Sequence, residues 1–331
     1  MDTAYYIHHL DPILFQLGPL AVRWYGLAYV GGFVSGILLL RQLARLGISK
    51  LPENEVSDFI TYCAIFGVML GGRVGYFLFG YAERSALLED PLMLFRLWEG
   101  GMASHGGVLG IMIYTFWYAR RHHIPWTHLG DNLVVAAPIG IFFGRMANFI
   151  NGELYGRAAN GLPWAVKFPQ ELYPNSAHPS LALDDTTRDQ AVQLALQTDE
   201  GVRAAPDIQL YDAIITRMRE NPELRESLGT FLTPRHPSQL YEAGLEGLVL
   251  FAILYAVRRS FKNLPNGVLT GLFFVCYALF RIFAEYFREP DSAMVGAFTK
   301  GQFYSLFMVV IGAIFLIRAV FLARAVRGST P

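Results

Sequence analysis

Residues 302–322 read QFYSLFMVVIGAIFLIRAVFL, and Arg318 is the single charged residue among them. A helix needs about 20 predominantly apolar residues to cross the hydrocarbon core of a bilayer. This stretch therefore predicts a transmembrane helix. The whole chain of 331 residues shares the bias, with 53% hydrophobic and 16% charged residues, whereas about a quarter of the residues in a soluble protein are charged. The sequence thus predicts an all-α integral membrane protein.

Seven stretches have the length and polarity of a membrane span. They are Leu20–Leu40, Val56–Phe79, Ala103–Tyr118, Asp131–Ile150, Pro237–Val257, Gly267–Phe287 and Gln302–Leu322. No basic segment precedes the first of them, and no small-residue cleavage site follows it. We therefore expect the first stretch to be retained as a span rather than removed as a signal peptide.

The basic residues of the connections predict the orientation of these spans. They cluster after the first, third, fifth and seventh spans, at Arg41, Arg45, Lys50, Arg120, Arg121, Arg258, Arg259, Lys262, Arg324 and Arg327. Cytoplasmic connections carry the excess of Lys and Arg in membrane proteins. We therefore expect the N-terminus outside and the C-terminus in the cytoplasm.

A long polar segment separates the fourth and fifth spans. Residues 156–235 are rich in acidic side chains, and the amphipathic stretches Gln190–Leu196 and Ile208–Met218 predict short helices. The predicted orientation makes this segment a periplasmic head between two membrane domains, residues 1–155 with helices 1 to 4 and residues 236–331 with helices 5 to 7. The glycine-rich residues 99–107 predict a re-entrant loop, which is tolerated in a membrane where protein shields it.

Charge and cysteine usage narrow the class of protein. The formal net charge is zero, which argues against nucleic acid as a partner. Cys63 and Cys276 both lie inside apolar runs, so they predict neither a disulfide framework nor a metal cluster. We interpret both as small buried hydrophobic residues.

Polar side chains from six of the seven predicted spans lie at one level, near the outer face of the membrane. Ionisable groups inside a span are costly, which makes each of them a functional candidate. The members are Tyr25, Arg73, His105, Arg145, Asn148, His236, Gln239, Glu242, Tyr277, Arg281 and Glu285. Their convergence predicts a single site.

Spacing supports this interpretation on two helices. Tyr277, Arg281 and Glu285 are four residues apart, so they share one helix face. A second polar stripe follows steps of three or four residues through His236, Gln239, Glu242 and Glu246. Two or three buried arginines in one place favour an anionic ligand, because the guanidinium group binds phosphate through a planar fork. At the depth of the outer leaflet, the simplest such ligand is a phospholipid headgroup.

Structural alternatives exist for single members of this set. Arg281 and Glu285 also fit a purely structural ion pair, and Arg73 also fits an arginine that extends to the membrane surface. His105 alone also fits an ordinary packing residue. Asp131, at the cytoplasmic side, is interpreted as a helix cap rather than as a catalyst.

One motif carries a resemblance to a known family. Residues 144–157 read GRMANFINGELYGR, which resembles the signature of prolipoprotein diacylglyceryl transferases. Further blocks similar to that family follow in the expected order, at residues 23–27, 71–76, 101–107, 235–242 and 280–288. The resemblance covers the chain except the head, where the stretch from Leu172 to Thr233 is longer than the usual version.

The resemblance implies a transferase of the bacterial inner membrane. Such enzymes transfer the diacylglyceryl group of phosphatidylglycerol to the lipobox cysteine of preprolipoprotein signal peptides, which forms a thioether and releases glycerol 1-phosphate. The expected partners are therefore phosphatidylglycerol and other membrane lipids together with these signal peptides. No cofactor and no divalent metal are expected.

The cluster and the resemblance together suggest roles for individual residues. His105 is the candidate base, because imidazole titrates nearest to neutral pH, and His236 is a weaker candidate. Arg145 and Arg281 are expected to stabilise the departing phosphate, while Glu285 and Glu153 hold these arginines. The expected phosphatidylglycerol-binding set is Tyr25, Arg73, Arg145, Asn148, Asn151, Glu153, Gly156, His236, Gln239, Glu242 and Tyr277.

Other classes of protein remain as alternatives. A transporter or flippase for anionic lipids would also place arginines in a membrane cavity, but it is expected to continue the polar path inward. An intramembrane serine hydrolase is disfavoured because Ser104 and His105 are adjacent and no Gly-x-Ser-x-Gly motif is present. A structural subunit would need no converging arginines.

Overall fold

The structure is a computed structural model, and it describes residues 5–18, 20–79, 87, 90–96, 100–174, 182–261, 263–290 and 294–328. Most of these residues are helical. The α-helices are α1 (Trp24–Arg45), α2 (Val56–Tyr62), α3 (Gly71–Phe79), α4 (Ser104–Arg121), α5 (Trp126–Asn151), α6 (Asp185–Thr198), α7 (Glu200–Arg203), α8 (Leu210–Glu220), α9 (Pro222–Gly229), α10 (Ser238–Glu242), α11 (Leu250–Ser260), α12 (Val268–Ala284) and α13 (Lys300–Gly328). Two π-helical segments, Cys63–Leu70 and Ala243–Val249, join α2 to α3 and α10 to α11. The strands are β1 (Tyr6–Ile7), β2 (Ile13–Leu17), β3 (Leu20–Arg23), β4 (Val166–Lys167) and β5 (Pro234–Arg235).

Five helices of the described part are long and apolar enough to cross a membrane. They are Trp24–Arg45, Glu53–Leu78, Trp126–Asn151, Ser238–Ser260 and Lys300–Leu322. Each corresponds to one of the seven predicted spans, so the prediction of a multi-pass helical membrane protein is confirmed. The other two predicted spans also lie on helices, α4 and α12, but α12 is apolar and only 17 residues long.

The chain divides into two compact units. The first contains residues 1–30, 141–250 and 274–311, and the second contains residues 31–140, 251–273 and 312–331. The boundary falls inside several of the long helices. The polar residues predicted to converge are thus distributed over both units, most of them in the first.

The head region in the first unit has a hydrophobic core of its own. Helices α6 to α9 bury an apolar cluster that consists of Ile7, Leu172, Leu183, Ala191, Val192, Ala195, Val202, Ile214, Met218, Leu224, Leu228 and Leu232. Of the two amphipathic stretches predicted as short helices, Gln190–Leu196 lies in α6, and Ile208–Met218 lies in the 3-10 turn Asp207–Gln209 and in α8. Strand β4 pairs with β1 in parallel and with β5 in antiparallel orientation. This sheet joins the N-terminal strand β1 to β4 and to β5, and β5 ends immediately before His236, the first candidate site residue of that segment.

In the second unit, glycines allow two helices to approach closely. A Cβ atom built on Gly106 of α4 would lie 2.6 Å from the Cα atom of Gly75 on α3. The backbones are therefore in contact, as is common where small residues line helix interfaces in membranes. Helix α4 begins at Ser104, so the second half of the glycine-rich stretch 99–107, for which we predict a re-entrant loop, is helical. Residues 100–103 are non-helical, and residues 97–99 lie outside the described part.

Asp131 caps a helix, as predicted, but the helix is not its own. Helix α5 begins five residues earlier, at Trp126, so Asp131 lies inside it. Its carboxylate accepts hydrogen bonds from the backbone N–H of Gly267 at 2.7 Å and from the N–H of Thr270 at 2.8 Å. These are donors at the start of α12, which have no partner within that helix. Asp131 thus connects α5 to the first turn of α12.

Candidate active site: an arginine–glutamate cluster

Three arginines surround one buried carboxylate in the first unit. Glu242, which is fully buried, has its Oε2 atom 2.9 Å from Nε of Arg145. Its Oε1 atom lies 2.7 Å from Nη1 of Arg281 and 3.0 Å from Nη1 of Arg288. Burying a carboxylate in this way is tolerated only when it is paired and hydrogen-bonded. Glu242 is therefore the centre of the cluster.

Helical spacing supplies the remaining members of the cluster. Glu246 follows Glu242 by four residues, and its carboxylate lies 3.5 Å from Nη2 of Arg145 and 3.6 Å from Nη1 of Arg281. Glu285 follows Arg281 by four residues and contacts its Nη2 atom at 2.6 Å. The segment that carries Glu246 is π-helical, and such bulges are frequent at functional sites.

The charges in this cluster differ from the sequence interpretation. The sequence analysis inferred an anionic ligand from the buried arginines alone, but in the structure three carboxylates face three guanidinium groups, because Glu246 shares the helix face of Glu242. The cluster is thus formally balanced. Its internal ion pairs hold each guanidinium in a defined orientation.

Arg145 has a donor group left for a ligand. Its Nε and Nη2 atoms face Glu242 and Glu246, and 18% of its side chain is exposed, compared with 5% for Arg288. Among the residues that the structure describes, its Nη1 atom has no hydrogen bond and no ion pair. Arg145 therefore faces carboxylates along one edge of its planar group, and part of its side chain is accessible.

Gly301 packs against the Glu285–Arg281 pair. A Cβ atom at this position would lie 2.7 Å from the carboxyl carbon of Glu285 and 3.3 Å from Nε of Arg281. Any larger side chain would displace the carboxylate. Gly301 was not predicted as a site residue, because a glycine at the start of α13 carries no signal of a contact with Glu285.

A second polar group consists of side chains from the signature motif and from α1. The Nδ2 atom of Asn151 donates to Oε1 of Glu153 at 2.9 Å, and Nδ2 of Asn148 lies 3.4 Å from both Oε2 of Glu153 and the hydroxyl of Tyr25. The backbone carbonyl of Glu153 accepts from Gln239 at 2.5 Å. The expectation that Glu153 holds an arginine was wrong: its carboxylate orients two amides, whereas Glu242 holds Arg145.

The backbone at Gly156 lies against the backbone at His236 and at Phe287, which leaves no space for a side chain at this position. Its N–H donates to the carbonyl of His236 at 2.9 Å, and a Cβ atom built on it would lie 2.7 Å from that same oxygen. It would also collide with the carbonyl of Phe287. Gly156 therefore determines the position of His236, and this is a physical reason for its place in the signature.

The side chain of His236 is half-buried. Its Nδ1 atom lies 3.2 Å from the hydroxyl of Tyr241. Burial lowers the pKa of His236 below its ordinary value, because a low-dielectric environment disfavours the charged imidazolium. The remaining predicted residue of the first unit, Tyr277, lies one turn before Arg281 on α12.

Two predicted site residues, Arg73 and His105, belong to the second unit. Arg73 is 2% exposed, and its guanidinium donates to the backbone carbonyls of Gly100, Arg96 and Met93, the last at 2.5 Å. The alternative in which Arg73 extends to the membrane surface is therefore wrong. These hydrogen bonds hold the segment before α4 in place. His105 lies in the first turn of α4 with an exposed side chain, which argues against the packing alternative.

The sequence analysis missed Arg288 as a site residue. It was included only in the similar block at residues 280–288, although it follows Arg281 by seven residues and Glu285 by three. That spacing was the available signal, although α12 ends at Ala284 and Arg288 lies beyond it, in a bridge with Gly156. The structure shows the consequence, since Arg288 contacts the same oxygen of Glu242 as Arg281 does.

Comparisons with known proteins identify the family of this chain. A family model described as prolipoprotein diacylglyceryl transferase matches residues 12–318. The chain belongs to that family.

Curated relatives support this conclusion over nearly the full length. The phosphatidylglycerol–prolipoprotein diacylglyceryl transferase of Pectobacterium atrosepticum is 37% identical over 324 residues, which cover 96% of this chain and 97% of the relative. The protein of the same name from Cronobacter sakazakii is 38% identical over 321 residues, 95% of each chain. That from Proteus mirabilis is 37% identical over 313 residues, which cover 94% of this chain and 92% of the relative.

Proposed function

We propose that this chain transfers the diacylglyceryl group of phosphatidylglycerol to the lipobox cysteine of preprolipoproteins, the first step of lipoprotein maturation. The cysteine sulfur forms a C–S bond with the glyceryl carbon that carries the phosphate. The C–O bond to that phosphate breaks, and its electron pair leaves with glycerol 1-phosphate. The thiol proton goes to a base, so the reaction requires no oxidant or reductant.

The observation that carries this proposal is the geometry of Arg145. One edge of its guanidinium faces Glu242 and Glu246, 18% of its side chain is exposed, and Nη1 has no hydrogen bond or ion pair among the described residues. A fixed, partly accessible arginine fits the recognition of phosphate oxygens. As the C–O bond breaks, negative charge builds up on the leaving phosphate. A donor that is already oriented stabilises this charge without reorganisation at the moment of reaction.

Arg281 is proposed to act beside Arg145 on the same leaving group. Glu285 contacts Nη2 and Glu242 contacts Nη1 of Arg281, so both terminal nitrogens are oriented by carboxylates. Asn148, Asn151 and Tyr25 are proposed to bind headgroup or leaving-group oxygens, because these side chains form one hydrogen-bonded group with Glu153.

His105 is proposed as the base that takes the thiol proton. The reason is chemical: a cysteine with an ordinary pKa near 8.5 is mostly protonated at neutral pH, and imidazole is the side chain best suited to accept that proton there. His105→Gln should abolish transfer. Near-normal turnover by His105→Gln, together with loss of turnover by His236→Gln, would exclude this assignment.

The topology of the chain is part of the proposal. We propose seven spans in the bacterial inner membrane, with the N-terminus outside, the C-terminus in the cytoplasm and residues 156–235 as a periplasmic head. The basic connections support this orientation. Cysteine residues introduced at Asp189 in the head and at Arg259 on the opposite side would test it, because only the former should react with a membrane-impermeant thiol reagent in intact cells.

The decisive experiment is transfer of a labelled diacylglyceryl group from phosphatidylglycerol to a lipobox peptide by the purified protein in lipid. Wild type should yield a thioether product, identified by mass spectrometry. Arg145→Ala should lose it, and Arg145→Lys should recover little activity, because lysine keeps the charge without the planar fork. Arg259→Ala is the matched control, since this arginine is exposed at the end of α11.

The same assay distinguishes the alternative function. A lipid flippase would move labelled phosphatidylglycerol between leaflets and leave the peptide unmodified. If folded wild-type protein gave no thioether with suitable lipid and peptide, the proposed reaction would be rejected.

A further inference from the structure

Three side chains form a hydrogen-bonded chain that ends at His236. The indole Nε1 of Trp164 donates to the hydroxyl of Tyr241 at 2.8 Å. The same hydroxyl lies 3.2 Å from Nδ1 of His236. Trp164 is 60% exposed and comes from the base of the head, whereas Tyr241 lies in α10, one residue before Glu242. The chain therefore runs from the surface to the edge of the candidate site.

The direction of these hydrogen bonds follows from what each group is able to donate. An indole N–H is a donor only, so Tyr241 must accept from Trp164. The tyrosine hydroxyl retains one hydrogen, and within the described residues the acceptor in reach of it is Nδ1 of His236. If Nδ1–H donated to this hydroxyl instead, the hydroxyl hydrogen would have no acceptor among the described residues. The arrangement that uses every donor is therefore O–H donating to an unprotonated Nδ1. In a neutral imidazole the proton is consequently on Nε2.

Packing holds the imidazole ring in place while it makes this bond. The ring of Phe287 lies 5.2 Å from that of His236 and 5.5 Å from that of Tyr241, both with edge-to-face geometry. The backbone N–H of His236 donates to the carbonyl of Arg157 at 3.0 Å, and its carbonyl accepts from Gly156. The backbone and the ring are therefore both constrained, and Nε2 makes no hydrogen bond within the described part of the chain.

We infer that Trp164 and Tyr241 fix His236 as the tautomer protonated on Nε2, so that His236 offers a hydrogen-bond donor to an anionic oxygen of the substrate rather than a base. The substrate part of this inference rests on the proposed function. Tyr241 and Trp164 are positioning residues that act through His236. Burial favours the neutral ring, which agrees with a donor that carries no charge.

The tautomer is measurable without any substrate. Protein labelled with 15N-histidine, in lipid bilayers at neutral pH, would be examined by solid-state NMR. The His236 signals are assigned by difference from His236→Gln, since the chain contains eight histidines. We expect Nε2 protonated and Nδ1 unprotonated in wild type. A ring protonated on Nδ1, or on both nitrogens, would overturn the inference.

Two variants test the origin of this preference. Tyr241→Phe should give a mixture of tautomers, and Trp164→Phe should shift the Nδ1 signal by a smaller amount. Tyr286→Phe is the matched control, because this tyrosine is 66% exposed and its hydroxyl has no partner among the described residues. A His236 spectrum unchanged by Tyr241→Phe would contradict the role of Tyr241.

Activity provides an independent measurement. Tyr241→Phe should lower diacylglyceryl transfer by roughly tenfold, the effect of one lost hydrogen bond, while Tyr286→Phe stays at wild-type level. Transfer by Tyr241→Phe that equals wild type would show that the tautomer does not serve the reaction. If wild type itself made no thioether, the proposed function would fail, whereas the NMR result would still establish or reject the tautomer.

Discussion

Nη1 of Arg281 lies 2.7 Å from Oε1 of Glu242, a carboxylate with no exposed surface. Spacing along the sequence predicts only the local partner of Arg281, which is Glu285, four residues later. The contact with Glu242 joins two helices and places Arg281 in the same cluster as Arg145 and Arg288. Each of the three arginines thus has Glu242 as one of its carboxylate partners, and removal of this carboxylate should affect all three.

Glu242→Gln should destabilise the protein and strongly reduce transfer. Removing one partner of a buried ion pair typically costs about 3–5 kcal/mol, because the remaining charges stay buried without compensation. Thermal unfolding in lipid nanodiscs measures the first effect, and the thioether assay measures the second. Glu53→Gln is the control: Glu53 pairs with Arg45 at 2.6 Å, but both side chains are exposed, so a change of only about 0–1 kcal/mol is expected. Equal effects of the two substitutions would show that Glu242 is not the centre of the cluster.

Gly301→Ala should reduce activity although it adds only a methyl group. The new Cβ atom would lie 2.7 Å from the carboxyl carbon of Glu285, so the carboxylate must move away from Arg281. Displacement of a substrate-positioning group by about 1 Å lowers rates by up to ~100-fold. The expected result is a lower rate of transfer by a folded protein. Gly244→Ala is the matched control, since a Cβ atom there meets nothing within 4 Å. Wild-type activity of Gly301→Ala would show that Glu285 does not need its present position.

Gly106 and Gly107 are neighbours on α4, but substitution by alanine is expected to destabilise the protein only at Gly106. A Cβ atom on Gly106 would lie 2.6 Å from the Cα atom of Gly75, whereas one on Gly107 would lie 3.6 Å from the carbonyl oxygen of Val68, which is an ordinary contact. Gly106→Ala should therefore force the helix backbones apart and destabilise the protein by about 1–3 kcal/mol, as overpacking does. Gly107→Ala should be tolerated. Unfolding temperatures of the two variants in the same lipid test this, and a reversed order would contradict the packing described.

His8 should make the stability of the protein depend on pH. It is 2% exposed and lies between the rings of Phe149 and Phe168, with centroid distances of 5.4 Å to each. Burial lowers the pKa of His8 to about 4, whereas the unfolded chain has an ordinary histidine pKa near 6.5. Between these values the unfolded state binds more protons than the folded state, so stability falls as the pH is lowered from about 6.5 to 4.

The size of this effect has an upper limit. A pKa difference of about 2.5 corresponds to roughly 3 kcal/mol. Unfolding temperatures measured from pH 7 to pH 4 should decrease less in His8→Gln than in wild type. The matched control is His9→Gln, which retains His8 and should show the same decrease as wild type. An identical pH dependence in His8→Gln and wild type would contradict the prediction.

Local patterns in the sequence predicted the helices and the pairs within a single helix. The composition of residues 302–322 and the spacing of Arg281 and Glu285 are both properties of one segment. The partner of Arg145 and the role of Glu153 were assigned differently from the structure, because they depend on which side chain of α10 meets α5. That relation is set by packing between segments far apart in the chain. Asp131 shows the same limit: its function as a cap was predictable, but the helix that it caps was not.

The distribution of the cluster over the chain has a consequence for biogenesis. Arg145 is synthesised first, Glu242 and Glu246 follow, and Arg281 and Arg288 come last. A charged side chain costs about 2.5–3.5 kcal/mol or more at the centre of a bilayer. The helical segment that carries Glu242 and Glu246 is therefore unstable in the bilayer without a cationic partner. Until translation reaches Arg281, Arg145 is the one cation of this cluster available to those acids. Cells that produce Arg145 variants should therefore accumulate less protein, because quality control acts on the nascent chain before any substrate is bound.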